Sequence, residues 1–131
     1  MSSVDVKNVV ERFISNGLRV RDLMFSARDM FMNYKFYDAV NILSDIIVKV
    51  DEMMIDLRTI SKFLTNRKSM VKPYRFLSSV RKIVFKLEDN TMRMIYSKVS
   101  DEKIMRMGVD RLNALIFLWN RVIIKSITDL L

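Results

Sequence analysis

The densest chemical signal in this 131-residue chain is a run of basic side chains with no acid among them. Residues 57–87 contain nine lysines and arginines, which are Arg58, Lys62, Arg67, Lys68, Lys72, Arg75, Arg81, Lys82 and Lys86. The whole chain has 23 basic and 15 acidic side chains, so the residues outside this segment have 14 basic and 15 acidic side chains. The formal net charge of +8 is therefore carried by one segment. Such a density of cations is typical of a surface that binds phosphate groups or another polyanion.

Two classes of anionic partner fit this segment. The first is nucleic acid, DNA or RNA, because each lysine or arginine that neutralises a phosphate releases condensed counterions. The alternative is a protein–protein interaction module, such as an adaptor, inhibitor or assembly subunit, whose basic end docks an acidic protein surface. Self-association belongs to that alternative, since the segment before the cations is acidic. A membrane surface is disfavoured, because the cations lack an adjacent exposed apolar face with Trp or Leu anchors.

The acidic segment carries five carboxylates against one lysine, which predicts a strongly dipolar molecule. They are Asp38, Asp45, Asp51, Glu52 and Asp56. Paired carboxylates at helical spacing can hold Mg²⁺, but metal sites in helical bundles use inward-facing carboxylates, and these fall off the apolar stripe. We therefore expect no metal site.

Three further residues are candidates for contacts with a partner. Tyr74 lies among the cations, where its ring could stack on an exposed base. Met92 and Met107 flank the last interhelical turn, and methionine is common on adaptable binding surfaces. We consider these two a candidate partner patch.

The composition argues against catalysis. The chain has no His, no Cys and two Gly. It therefore lacks an imidazole base, a thiolate nucleophile, a Cys/His zinc site and a glycine-rich phosphate loop. Nothing in it resembles a nucleophile elbow either. We expect a non-enzymatic protein without a cofactor.

The apolar residues recur at intervals of three and four, which predicts an all-α fold. We expect one helical domain over residues 1–131, a compact bundle of about five helices. Their predicted bounds are 4–16, 18–33, 36–66, 73–98 with a kink near 90 or none, and 101–130. The third and fourth helices form a long central hairpin, and a short connection makes them antiparallel. The nine cations should then converge at one end of the bundle.

Local signals set the predicted boundaries. Gly17 is expected to end the first helix in a left-handed conformation, and a tight turn is expected at 33–35. Pro73 suits the first turn of a helix, and Ser100 suits an N-cap. Gly108 is expected to bend the last helix.

The N-terminal sequence carries Asp5 and Glu11 and no uninterrupted apolar core, so it does not resemble a secretory signal. The longest apolar run, 114–119, is far shorter than the ~20 residues of a spanning helix, which predicts no transmembrane segment. Absence of Cys fits a reducing compartment. We expect an intracellular, cytoplasmic protein, a location in the nucleus or nucleoid being equally compatible.

Overall fold

A computed structural model, which describes residues 3–63 and 70–130, shows four helices in sequence. Helix α1 spans Ser3–Met32, α2 spans Phe36–Ser61 and α3 spans Val71–Tyr96. Helix α4 is a continuous rod of three parts: α-helical Asp101–Trp119, π-helical Asn120–Ile124 and α-helical Lys125–Leu130. The described residues contain no strand. The predicted compact all-α bundle is confirmed, whereas the predicted number of five helices is wrong, because the bundle has four.

The first correction concerns Gly17, where the sequence predicted a helix end. Helix α1 runs straight through this residue, whose φ is negative. Gly17 is buried, and its carbonyl oxygen accepts a hydrogen bond from Trp119 Nε1 at 3.0 Å. A Cβ atom added here would lie 2.5 Å from Cδ1 of Ile127. The glycine thus allows close approach of α1 and α4, and the predicted helices 4–16 and 18–33 are one helix.

The turn predicted at 33–35 is confirmed, and the same C-capping arrangement ends α3. The amide of Lys35 donates to the Met30 carbonyl at 2.8 Å, and that of Tyr34 donates to the Phe31 carbonyl at 3.1 Å. This is the Schellman pattern, which requires a left-handed residue after the helix. That residue is Tyr34, with φ of 61°, and its counterpart after α3 is Lys98, with φ of 55°. Both positions usually hold glycine.

Helix α3 begins and continues much as its sequence indicates. Pro73 lies in its first turn, as predicted. The helix is continuous through 89–91 and ends at Tyr96, two residues before the predicted end at 98. The hydroxyl of Thr91, a buried polar residue in this stretch, donates to the Leu87 carbonyl at 2.7 Å. This hydrogen bond satisfies the hydroxyl inside the helix and removes the reason for a break.

Helix α4 starts where Ser100 predicts it. The Ser100 hydroxyl accepts a hydrogen bond from the Lys103 amide at 3.4 Å, as an N-cap does. Gly108 does not interrupt the helix. It is buried, and an added Cβ would overlap the ring of Phe31. Gly108 is a second point of close approach between α1 and α4.

The irregularity of α4 lies further on, in the π-helical turn Asn120–Ile124. Three buried core residues, Trp119, Ile123 and Ile127, are spaced four apart around this turn. In a regular α-helix of 3.6 residues per turn, each of these side chains would be rotated about the helix axis by about 40° relative to the preceding one. The wider π turn reduces this drift and keeps all three side chains in the core.

Helix α2 is central, packed against α1 on one side and α3 on the other. Three side-chain hydrogen bonds, spaced seven residues apart on both helices, join α2 to α3: Arg58 to Tyr74, Arg81 to Asp51, and Ser44 to Glu88. Along these three pairs the residue number decreases on α2 while it increases on α3, so the two helices are antiparallel. The equal spacing shows that their register is constant. The end of α2 and the start of α3 therefore lie together, as the hairpin prediction requires.

The third predicted helix, 36–66, ends earlier in the structure, at Ser61. Two predicted anion-binding residues, Arg67 and Lys68, lie outside the described residues. Among the helices that are described, none has the length and apolarity needed to cross a membrane.

Candidate nucleic-acid interface

Seven of the nine predicted cations fall within the described residues, and all seven are exposed. We call this set the basic surface: Arg58, Lys62, Lys72, Arg75, Arg81, Lys82 and Lys86. It extends from the last turn of α2 along α3 as far as Lys86, beyond the middle of that helix. The α2–α3 register places Arg58 and the start of α3 at one end of the bundle, whereas Arg81, Lys82 and Lys86 continue along its side.

The longest element of the basic surface is a strip along α3. Arg75, Lys82 and Lys86 are separated by seven and four residues, which places them on one side of the helix. Leu77 and Val84, on the other side, are buried in the core. At 1.5 Å per residue the strip is about 16 Å long. None of the ion pairs formed among the described residues involves these three cations.

Arg58, on α2, is held in place by Tyr74. Its guanidinium carbon lies 5.2 Å from the centroid of the Tyr74 ring. Its Nε donates to the Tyr74 hydroxyl at 3.0 Å, and a terminal nitrogen donates to the same oxygen. The half-buried Tyr74 therefore orients a cation, and Arg58 covers one face of its ring. Stacking of Tyr74 on a base stays a prediction.

A cavity of about 490 Å³ opens between the end of α2 and the start of α3. Leu57, Met70 and Val71 give it an apolar lining, and Arg58 and Arg75 contribute guanidinium groups. A flat apolar group attached to an anion, such as a nucleotide, would match both parts of this lining.

Arg81 differs from the other described cations of the basic surface because it is paired with a carboxylate. Its Nε lies 2.6 Å from Oδ1 of Asp51 across the α2–α3 interface, with both side chains a little under half exposed. Glu52 is paired within α2, with Lys49 at 3.7 Å. Asp51 and Glu52 are thus paired within the molecule, which weakens the dipole that the sequence suggested.

Asp56 is the most completely engaged of these acids. Its carboxylate is 3% exposed and accepts two hydrogen bonds from Arg12, from Nε at 2.9 Å and from a terminal nitrogen at 2.6 Å. Hydrogen bonding to Asp56, together with its negative charge, raises the pKa of Arg12. The pair joins α1 to α2, so Asp56 has a structural role. Among the described residues, no group of three acidic side chains is arranged to hold a metal ion.

The methionine patch is less open than the sequence indicated. Met92 and Met107 are both half-buried, and Met107 packs against the core. A role for these two residues in partner binding stays a prediction.

Two cations near the basic surface escaped the sequence analysis. Arg121 and Lys125, on α4, line a cavity of about 160 Å³ together with Lys72 at the start of α3. They are some 50 residues away in sequence and are spread among apolar core positions. The signal that could have found them is topological: in an antiparallel bundle, the end of α4 lies beside the start of α3.

These features define an antiparallel four-helix bundle with exposed cations at one end and along one side of α3. No protein family, curated protein or solved structure was found to match the chain. Its function is therefore inferred from its own residues.

Proposed function

We propose that this protein binds nucleic acid through its basic surface, with no chemistry of its own. The observation that carries the proposal is the strip of Arg75, Lys82 and Lys86, exposed along one side of α3 and free of ion pairs with the other described residues. Cations that neutralise no carboxylate of their own molecule are available to phosphates. Arg58, held on Tyr74, adds a cation at the edge of the strip.

The pairing of acids favours nucleic acid over a second copy of the chain. Self-association would need an acidic surface able to receive the cations. Three of the five acids of the acidic segment, Asp51, Glu52 and Asp56, already contact Arg81, Lys49 and Arg12, respectively, which leaves only the exposed Asp38 and Asp45 to receive cations. Docking another molecule's cations on the three paired acids would require these contacts to be exchanged, which gains little electrostatic energy.

Contacts of this kind recognise the backbone of nucleic acid more than its sequence. Lysine and arginine side chains that reach phosphates fix position and orientation, whereas base edges are read in the grooves. Engagement of about four cations predicts a slope near −3.6 for log affinity against log salt on duplex DNA. The expected behaviour is strong, salt-sensitive binding with little sequence preference.

Fluorescence anisotropy with labelled random-sequence duplex and single-stranded oligonucleotides, at several salt concentrations, tests the proposal. The triple variant Arg75→Gln, Lys82→Gln, Lys86→Gln should reduce the magnitude of the slope by about two to three. Glutamine preserves helix propensity while removing the charge.

A matched control removes three exposed cations elsewhere: Lys35→Gln, Lys103→Gln and Arg111→Gln. These residues lie outside the basic surface, and the control should bind nearly as the wild type does. The proposal is overturned if the wild type does not bind in low salt, or if the two triple variants lose affinity equally.

A protein partner is the second candidate, favoured by exposed apolar side chains next to the cations. Ile55 and Phe85 are 62% and 60% exposed, each one helical turn from the Asp51–Arg81 pair. An acidic protein surface could cover these side chains while engaging the basic surface. Competition between the oligonucleotide and polyglutamate separates the candidates. Displacement of the oligonucleotide by polyglutamate at an equal concentration of negative charges would favour a protein partner.

A further inference from the structure

Helix α4 contributes a second group of cations next to the basic surface. Lys72, Arg121 and Lys125 line both the cavity of about 160 Å³ and an adjoining depression of about 610 Å³. We call this paired cavity the α3–α4 cleft. Its neutral polar side chains include Ser126 in the first cavity and Asn120 in the second. The Asn120 amide can donate a hydrogen bond to a phosphate oxygen, whereas the Ser126 hydroxyl already donates to the Val122 carbonyl at 2.7 Å.

The cations of the cleft are exposed, and none of them takes part in an ion pair among the described residues. Arg121 is oriented by an aromatic ring, with its guanidinium carbon 5.5 Å from the centroid of Phe117. Arg58 has the same arrangement with Tyr74 on α2. An arginine held on a ring loses less conformational freedom when it binds an anion.

The start of α3 adds positive potential to the cleft. Its first turn contains no acidic residue, its N-cap, Met70, provides no side-chain hydrogen bond, and Lys72 lies within that turn. Helix N-termini carry a partial positive charge that acidic side chains ordinarily offset. Within the described first turn a cation occupies that position instead, which adds to the positive potential of the cleft.

The π-helical turn affects which residues of α4 reach the cleft. Arg121 lies within the turn, and Lys125 follows it directly. A π turn changes the side of the helix on which later residues emerge, and such turns are frequent at functional sites. In this chain the turn retains Ile123 and Ile127 in the core while Arg121 and Lys125 line the cleft.

We propose that the α3–α4 cleft is a second phosphate-binding site, which takes a backbone phosphate of the nucleic acid bound by the basic surface. This inference rests on the proposed function and extends it. Lys72 belongs to both the basic surface and the α3–α4 cleft. A nucleic-acid strand that follows the cations of α3 can therefore continue to α4 over a continuous region of positive potential. Asp129 also lines the cleft and opposes the anion, so three cations act against one carboxylate.

The test uses the salt dependence of oligonucleotide binding with changes confined to α4. The double variant Arg121→Gln, Lys125→Gln should reduce the magnitude of the slope by about one to two. The control, Lys103→Gln with Arg111→Gln, removes one lysine and one arginine of the same helix outside the cleft and should leave the slope unchanged.

Asp129→Asn supplies a readout that misfolding cannot imitate, because it should strengthen binding. Removing one negative charge beside a bound phosphate should raise affinity roughly two- to fivefold in low salt. The cleft proposal fails if the α4 double variant retains the wild-type slope while the Arg75, Lys82 and Lys86 variant loses it, an outcome that leaves the proposed function standing. Absence of binding by the wild type would overturn both.

Discussion

Replacing Arg12 by Met should destabilise the protein by about 2 to 3 kcal/mol. The reason is burial of the partner, Asp56, whose carboxylate is 3% exposed and is hydrogen-bonded by Arg12. Breaking a fully buried ion pair costs about 3 to 5 kcal/mol, whereas exposed pairs contribute about 0 to 1 kcal/mol. The Arg12 side chain is 59% exposed, so water can reach one side of the pair. The expected loss therefore lies between the two limits.

The Arg81–Asp51 pair provides the matched control. It has the same residue types and the same shortest distance of 2.6 Å, but its side chains are 45% and 44% exposed. Arg81→Met should therefore cost less than about 1 kcal/mol. Thermal or urea unfolding followed by circular dichroism measures both variants. For a chain of this size the Arg12 variant should melt about 8 °C lower, and the Arg81 variant within about 4 °C of the wild type.

The pH dependence gives an independent check of the same reasoning. In the wild type the pKa of Arg12 is raised, so its charge and its stabilising contribution persist through the neutral range. A raised pKa means that the contribution of Arg12 is lost only as the pH rises through that pKa, far above neutrality. The deficit of the Arg12→Met variant should therefore be the same at pH 7 and at pH 9.

Equal losses for the two methionine variants would refute the argument from burial. A deficit for Arg12→Met that shrinks between pH 7 and pH 9 would refute the claim that Arg12 stays charged, and stabilising, through that range.

Two further predictions concern backbone positions. Gly108→Ala should destabilise by about 1 to 3 kcal/mol, because the added methyl would overlap the buried Phe31 ring, whereas Gly17→Ala should cost less, because it meets the flexible end of Ile127. Urea midpoints compare the two, and a larger loss for Gly17→Ala would contradict this ranking. Lys98→Gly should raise stability by about 0.5 to 1 kcal/mol by relieving the left-handed conformation at φ of 55°, and a lower melting temperature would contradict that expectation.

Much of the helix pattern could be predicted because its signals are local. The apolar spacing indicated helices, Ser100 indicated an N-cap, and the turn near Tyr34 was correctly placed between two stripes. Gly17 was misread because a glycine after an apolar stripe is equally typical of a helix end and of a close contact. Trp119 and Ile127, more than 100 residues later, decide between those meanings.

In the candidate site, too, the sequence predicts one part and long-range packing decides the rest. The concentration of positive charge between residues 57 and 87 is a property of the sequence alone, since it needs no contact to be seen. Packing decided which cations remain available: Arg81 meets Asp51 across a helix interface, while Arg75, Lys82 and Lys86 meet no described carboxylate.

The sequence by itself determined that this protein is helical, where two of its turns fall, and that its excess charge lies in one segment. The tertiary structure alone decided that 3–32 is one helix, that α4 contains a π turn, and that Arg121 and Lys125 join Lys72. The physical reason is the range of the interactions. Hydrogen-bonding period and capping act within a few residues, whereas close packing and ion pairing depend on which distant segments the fold brings together.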